Sequence, residues 1–126
     1  MHLPTESILL RIFIGESDRH DGRPLYEALV LKAREAGLAG ATVLRGIEGF
    51  GARSRVIHSS RILRLSEDLP IVVELVDVEE KILAFLPEID ALFEESGCGG
   101  LVTLEKVQIR RYTPGTVPTP KSRLIK

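Results

Sequence analysis

The chain has 126 residues, 44% of them hydrophobic but only 5% aromatic and with no Trp, which supplies one aliphatic core and too few stacking rings for a single-stranded nucleic-acid platform. Its 17 basic and 18 acidic residues leave a formal charge of −1, so no overall field draws it to nucleic acid or to an anionic membrane. The lone Cys98 excludes an internal disulfide, and the sequence opens with no basic leader and holds no apolar run of the roughly 20 residues that span a bilayer, so a cytoplasmic, non-inserted protein is expected.

Residues 8–14, apolar and β-branched and closed by Gly15, predict a buried central strand. The polar stretch that follows carries Asp21-Gly22, a turn signal, and Pro24 then offers a fixed φ for the first turn of a helix. Leu25, Ala28, Leu29, Ala33 and Ala36 give that helix one apolar stripe, and Gly37 is placed to end it in the left-handed conformation.

Residues 41–47 and 69–76 predict two further strands, the second with Pro70 near its start. About twenty residues separate them, a length that in a compact domain points to a functional loop. Asp77 with Glu80 three residues on reads as a capping box, and Ile82, Phe85, Leu86, Ile89, Leu92 and Phe93 follow at helical spacing. Pro87 within this helix predicts a kink or broken turn near Phe85. After Gly97-Cys98-Gly99-Gly100, residues 101–112 alternate as a last strand with a bulge expected near Lys106.

Strand, helix, strand, strand, helix, strand is a split βαβ arrangement, so the fold class expected is α+β, a ferredoxin-like βαββαβ sandwich with a long loop between its second and third strands. One domain spans residues 1–112. Residues 113–126, with three prolines and no acid, form a tail expected to be disordered. Helices cover one sheet face only, and the apolar strands ask another subunit to cover the other.

Three groups of residues carry candidate binding chemistry. Gly46-Ile47-Glu48-Gly49-Phe50-Gly51 follows a strand without opening a helix, so a dinucleotide fingerprint does not fit, though bare N–H groups at such glycines can hold an anion. Arg53, Arg55 and His58, among serines, suit phosphate oxygens or an acidic partner equally. Gly97, Gly99 and Gly100 are either a helix stop or a phosphate cradle served by Arg110 and Arg111. No catalytic constellation and no metal-ligand spacing is present in the sequence, so a non-enzymatic module without a required cofactor is expected.

Thr42 to Gly51 followed by a polar loop and then Asp68-Leu69-Pro70-Ile71-Val72-Val73-Glu74 resembles the PII nitrogen-regulatory proteins. Gly22-Arg23-Pro24-Leu25-Tyr26-Glu27-Ala28, Gly37-Leu38-Ala39-Gly40-Ala41-Thr42-Val43 and Ile57-His58-Ser59 are similar to the PII-like family called domain of unknown function 190. The resemblance implies a homotrimer with sheets facing inward and adenine nucleotide (AMP, ADP or ATP) in the clefts between subunits. It implies binding roles for Gly49, Phe50 and Gly51 at the base of a mobile loop, for Gly97, Gly99 and Gly100 facing phosphate, and for Arg110 and Arg111. It also implies that residues 50–65 meet a partner protein, such as a membrane transporter or channel. The chain departs from PII proteins in three ways: Ala52-Arg53 after the G-F-G, Leu101-Val102 where a phosphate-gripping lysine stands, and no tyrosine between Phe50 and Leu69. Sensing of 2-oxoglutarate and uridylylation are therefore not implied, and fewer phosphates or weaker binding is.

Overall fold

The computed structural model describes residues 6–51 and 68–116. Its elements are β1 (Glu6–Gly15), β2 (Arg19–His20), β3 (Arg23–Pro24), α1 (Leu25–Glu35), β4 (Thr42–Arg45), β5 (Pro70–Asp77), α2 (Glu79–Ser96) and β6 (Leu101–Gln108). The main sheet has the order β4-β5-β1-β6 with every neighbouring pair antiparallel. Setting aside the small β2-β3 ribbon, this is the expected βαββαβ topology with β1 and β5 in the centre.

Alternation along the strands decides which face each residue serves. Ile8, Leu10, Ile12 and Ile14 of β1 and Ile71, Val73 and Leu75 of β5 are buried on the helix side. They meet Leu25, Ala28, Leu29 and Ala33 of α1 and Ile82, Phe85, Ile89 and Leu92 of α2, all recurring at helical spacing. A fully buried ring such as Phe85 is worth roughly 1.5–3 kcal/mol over an exposed one, so the core rests on a few large side chains.

The turns are set by local chemistry. Asp21 (φ 51°) and Gly22 (φ 80°) form the two-residue turn of the β2-β3 hairpin, a type I′ geometry that needs positive φ at both positions. The flanking strands were not expected. Gly37 (φ 79°) ends α1 as the sequence predicts: its N–H donates to Arg34 O at 3.1 Å and that of Leu38 to Ala33 O at 3.1 Å, the Schellman pattern. Pro24, with ψ 138°, caps α1 instead of opening it, and the helix starts at Leu25.

Three further expectations are corrected. Asp77 does not cap α2; it is the buried last residue of β5, and Val78 takes the N-cap position without a side-chain bond. Its carboxylate accepts instead from Val78 N at 2.7 Å and from Ala39 N at 2.9 Å, a distant amide that sequence spacing does not reveal. No broken turn occurs at Pro87, because α2 runs uninterrupted from Glu79 to Ser96. Pro87 and Leu83 are both exposed, so the hydrogen bond lost to the proline falls on the solvent side of the helix. β6 ends at Gln108, and its register against β1 is continuous from Phe13↔Leu101 to Glu6↔Gln108, with no bulge at Lys106.

No described helix or strand covers the sheet face away from α1 and α2. At its centre Arg11 donates from Nε to Glu74 Oε2 at 2.9 Å and from Nη1 to Glu105 Oε1 at 3.1 Å, tying β1 to both neighbours. These carboxylates, Glu74 foremost through its hydrogen bond, raise the Arg11 pKa above its ordinary value.

Candidate functional site

The two glycine-rich segments, far apart in sequence, meet at one end of the sheet. After β4 the chain wraps Pro70: Gly46 N donates to Pro70 O at 2.7 Å, and a methyl group on Gly46 or Gly49 would stand 2.8 or 3.1 Å from the proline Cγ. Gly49 also holds φ at 148°, which side-chain-bearing residues rarely adopt. From the other side, Gly97 (φ 72°) ends α2, its N–H donating to Phe93 O at 2.9 Å, and the chain passes through Gly99 and Gly100 into β6.

The exit of β1 forms the third wall. Gly15 N donates to Asp18 Oδ2 at 2.9 Å, Ser17 N to Asp68 Oδ1 at 3.1 Å, and Glu16 N to Leu69 O at 2.8 Å. The result is a cavity of about 260 Å³. Gly49, Gly51, Gly99 and Gly100 contribute backbone, Phe13, Phe50, Pro70 and Leu101 apolar walls, and Asp18 and Asp68 the charge. No Lys or Arg lines it among the described residues. Phe50 in its lining is 77% exposed, and Ile47, three residues earlier in the chain, is 94% exposed.

The predicted site residues thus divide. Gly49, Phe50, Gly51, Gly99 and Gly100 come together, while Gly97 serves the end of α2 and does not line the cavity. Arg53, Arg55 and His58 lie outside the described residues, as does most of the loop expected to be mobile. Arg110 and Arg111 follow the opposite end of β6, eight residues and so roughly 25 Å away along the strand. Because β6 stops at Gln108, strict alternation does not decide between these two arginines.

Arg111 instead borders a second cavity, of about 450 Å³, on the uncovered sheet face with Thr42, Glu74, Val76, Ile109 and Tyr112. Its Nε donates to Thr113 Oγ1 at 3.1 Å. Arg110 is exposed and lines neither cavity. Sequence reasoning missed Asp18, Asp68, Thr42, Glu74 and Tyr112. Thr42, Asp68 and Glu74 stood inside the motifs that carry the family resemblance, whereas Asp18 and Tyr112 carried no such signal.

Elsewhere, the His20 ring meets Glu95 Oε1 at 2.9 Å and Cys98 Sγ lies 3.7 Å from Arg19 O, fastening the β2-β3 ribbon to the end of α2. Among the described residues no three His, Cys, Asp or Glu side chains are grouped to hold a metal ion, and no helix is long and apolar enough to cross a membrane.

A βαββαβ sheet with glycine-rich loops meeting at one end defines a PII-like domain, and the solved structures agree. CPII from Thiomonas intermedia K12, a nitrogen regulatory PII-like protein solved bound to ADP, AMP and bicarbonate, superposes with a TM-score of 0.59 over 86% of this chain and 97% of its own, at 18% identity. At that identity the likeness is one of fold. The family model of domain of unknown function 190, described as "Uncharacterized ACR", matches residues 7–109, and the chain belongs to that family. A UPF0166 protein of Aquifex aeolicus is 44% identical over 101 residues, covering 80% of this chain and 90% of the relative. Another, from Methanocaldococcus jannaschii, is 35% identical over 89 residues, covering 71% and 81%.

Proposed function

We propose that this protein is a homotrimeric regulatory module that holds an adenine nucleotide in clefts between its subunits and presents residues 50–65 to a partner protein. The observation that carries the reading is the convergence of Gly49, Phe50 and Gly51 with Gly99 and Gly100 on one cavity. Glycine backbone there permits close approach of a ligand, and Phe13, Phe50 and Leu101 offer apolar contact to a base.

The distance between the glycine cavity and Arg111 supports assembly. If Arg111 contacts the nucleotide, as the family resemblance implies, it must come from a neighbouring copy, because one copy holds the two apart by the length of β6. CPII, of the same fold, was crystallised with ADP and AMP. The module acts by binding, not by catalysis.

Calorimetric titration with AMP, ADP and ATP, run beside light scattering, tests this. At least one nucleotide is expected to bind at one site per subunit in a trimer. Absence of binding to all three, confirmed by equilibrium dialysis, would replace this reading with a ligand-independent interaction module, for which the exposed Ile47 and Phe50 are the natural contact.

A further inference from the structure

The open sheet face is organised in rows. Leu44, Val72, Phe13 and Leu101 are successive cross-strand partners, one apolar row running over all four strands. Its outer members are 49% (Leu44) and 57% (Leu101) exposed. The next row on the same face is polar: Thr42, Glu74, Arg11 and Thr103. Arg11 extends it diagonally to Glu105, the partner of Leu9.

The side chains of Arg11, Glu74 and Glu105 are 37%, 30% and 60% exposed, and ion pairs this open add little to the stability of a single copy. Covered, they would behave differently. Two carboxylates and one guanidinium carry −1, and Arg111, which shares the second cavity with Glu74, brings the face to zero. A neutral face with an apolar row gives no field for a strongly charged partner and is complementary to another copy of itself.

We propose that copies of this chain pack over the row formed by Leu44, Val72, Phe13 and Leu101, and that the Arg11, Glu74 and Glu105 cluster is the register key of that interface. The inference rests on the assembly proposed above and names what fixes its alignment. Apolar rows alone tolerate slippage. A copy displaced by one row would lay hydrocarbon on the charged row and desolvate a cluster that its own pairs leave at −1, a penalty that opposes the stabilisation from burying the apolar row. Within each copy Arg11 offsets one of the two glutamate charges, and only the aligned arrangement would leave that cluster against the polar row of a neighbour.

Sedimentation analysis of the full chain decides it, comparing wild type, Arg11→Met and the triple variant Arg11→Met, Glu74→Gln, Glu105→Gln at about pH 8 and about pH 5, with circular dichroism on each. Wild type is expected to be assembled at both. In Arg11→Met the dissociation constant should rise by about two orders of magnitude or more at the higher pH. Desolvated carboxylates without a counter-ion take up protons more readily, so the assembly should return as pH falls. Arg111 and Tyr112 are the other titratable groups described at this face, bordering the same cavity as Glu74. The triple variant should assemble at both pH values. Full assembly of a folded Arg11→Met at the higher pH, or failure of the triple variant to reassemble, overturns the register key alone. A monomeric wild type overturns the assembly itself.

Discussion

Gly100 lies so close to Phe93 that a methyl group on its α-carbon would stand 2.6 Å from the ring's Cε1 and 2.9 Å from the Phe13 carbonyl oxygen. The ring can tilt; the carbonyl belongs to the central strand and cannot yield cheaply. Gly100→Ala should therefore lower stability by about 1–3 kcal/mol, the usual cost of overpacking. A lower urea midpoint with an unchanged slope would show it, and an unchanged midpoint would count against the close packing that shapes the cavity floor.

The two late arginines should separate in nucleotide binding. Arg111 borders the cavity shared with Glu74 and Tyr112, and Arg110 lies in solvent. A charge-assisted hydrogen bond is worth roughly 1.5–3 kcal/mol, so Arg111→Ala should weaken ADP binding by about one to two decades. Arg110→Ala should leave it nearly unchanged. Equal losses in two folded, assembled variants would contradict the placement.

Asp77 holds the approach to β4 in place. Its two oxygens accept from Ala39 N and Val78 N, and the residue is 1% exposed. Asp77→Ala orphans both donors at a cost of about 1–3 kcal/mol. Hydrogen exchange at the Ala39 amide should quicken beyond what the drop in global stability explains. Asp77→Asn, which retains one acceptor oxygen, should lose less. Unaltered protection at Ala39 in the Ala variant would refute the tether.

The glycine cavity should not reward extra phosphates. Asp18 and Asp68 line it, and Leu101-Val102 follow the glycines in place of a lysine. Without added metal, ATP is expected to bind no more tightly than ADP. Asp18→Asn, which keeps an oxygen for Gly15 N, should shift the ATP to ADP preference about fivefold toward ATP, the scale of roughly 1 kcal/mol for unit charges near 4 Å in water-like surroundings. Parallel titrations of the two proteins check this, and an unmoved ratio rejects it.

What the chain determines by itself is local. The apolar runs of β1 and β5, the apolar stripes of α1 and α2, the Asp21-Gly22 turn and the left-handed Gly37 were legible because each depends on neighbours a few residues apart. The glycine loops were legible as motifs, and their resemblance to a family named the fold. Tertiary structure decided the rest. Asp77 carries a capping signature, yet Ala39, brought near by the fold, contributes one of the two N–H groups its carboxylate accepts. Pro87 signals a break, yet the helix runs through it on its exposed face. Arg11 finds Glu74 and Glu105 at sequence separations of 63 and 94. A charged group's partner is chosen by register and burial across strands, and neither is encoded in the spacing of residues along one strand.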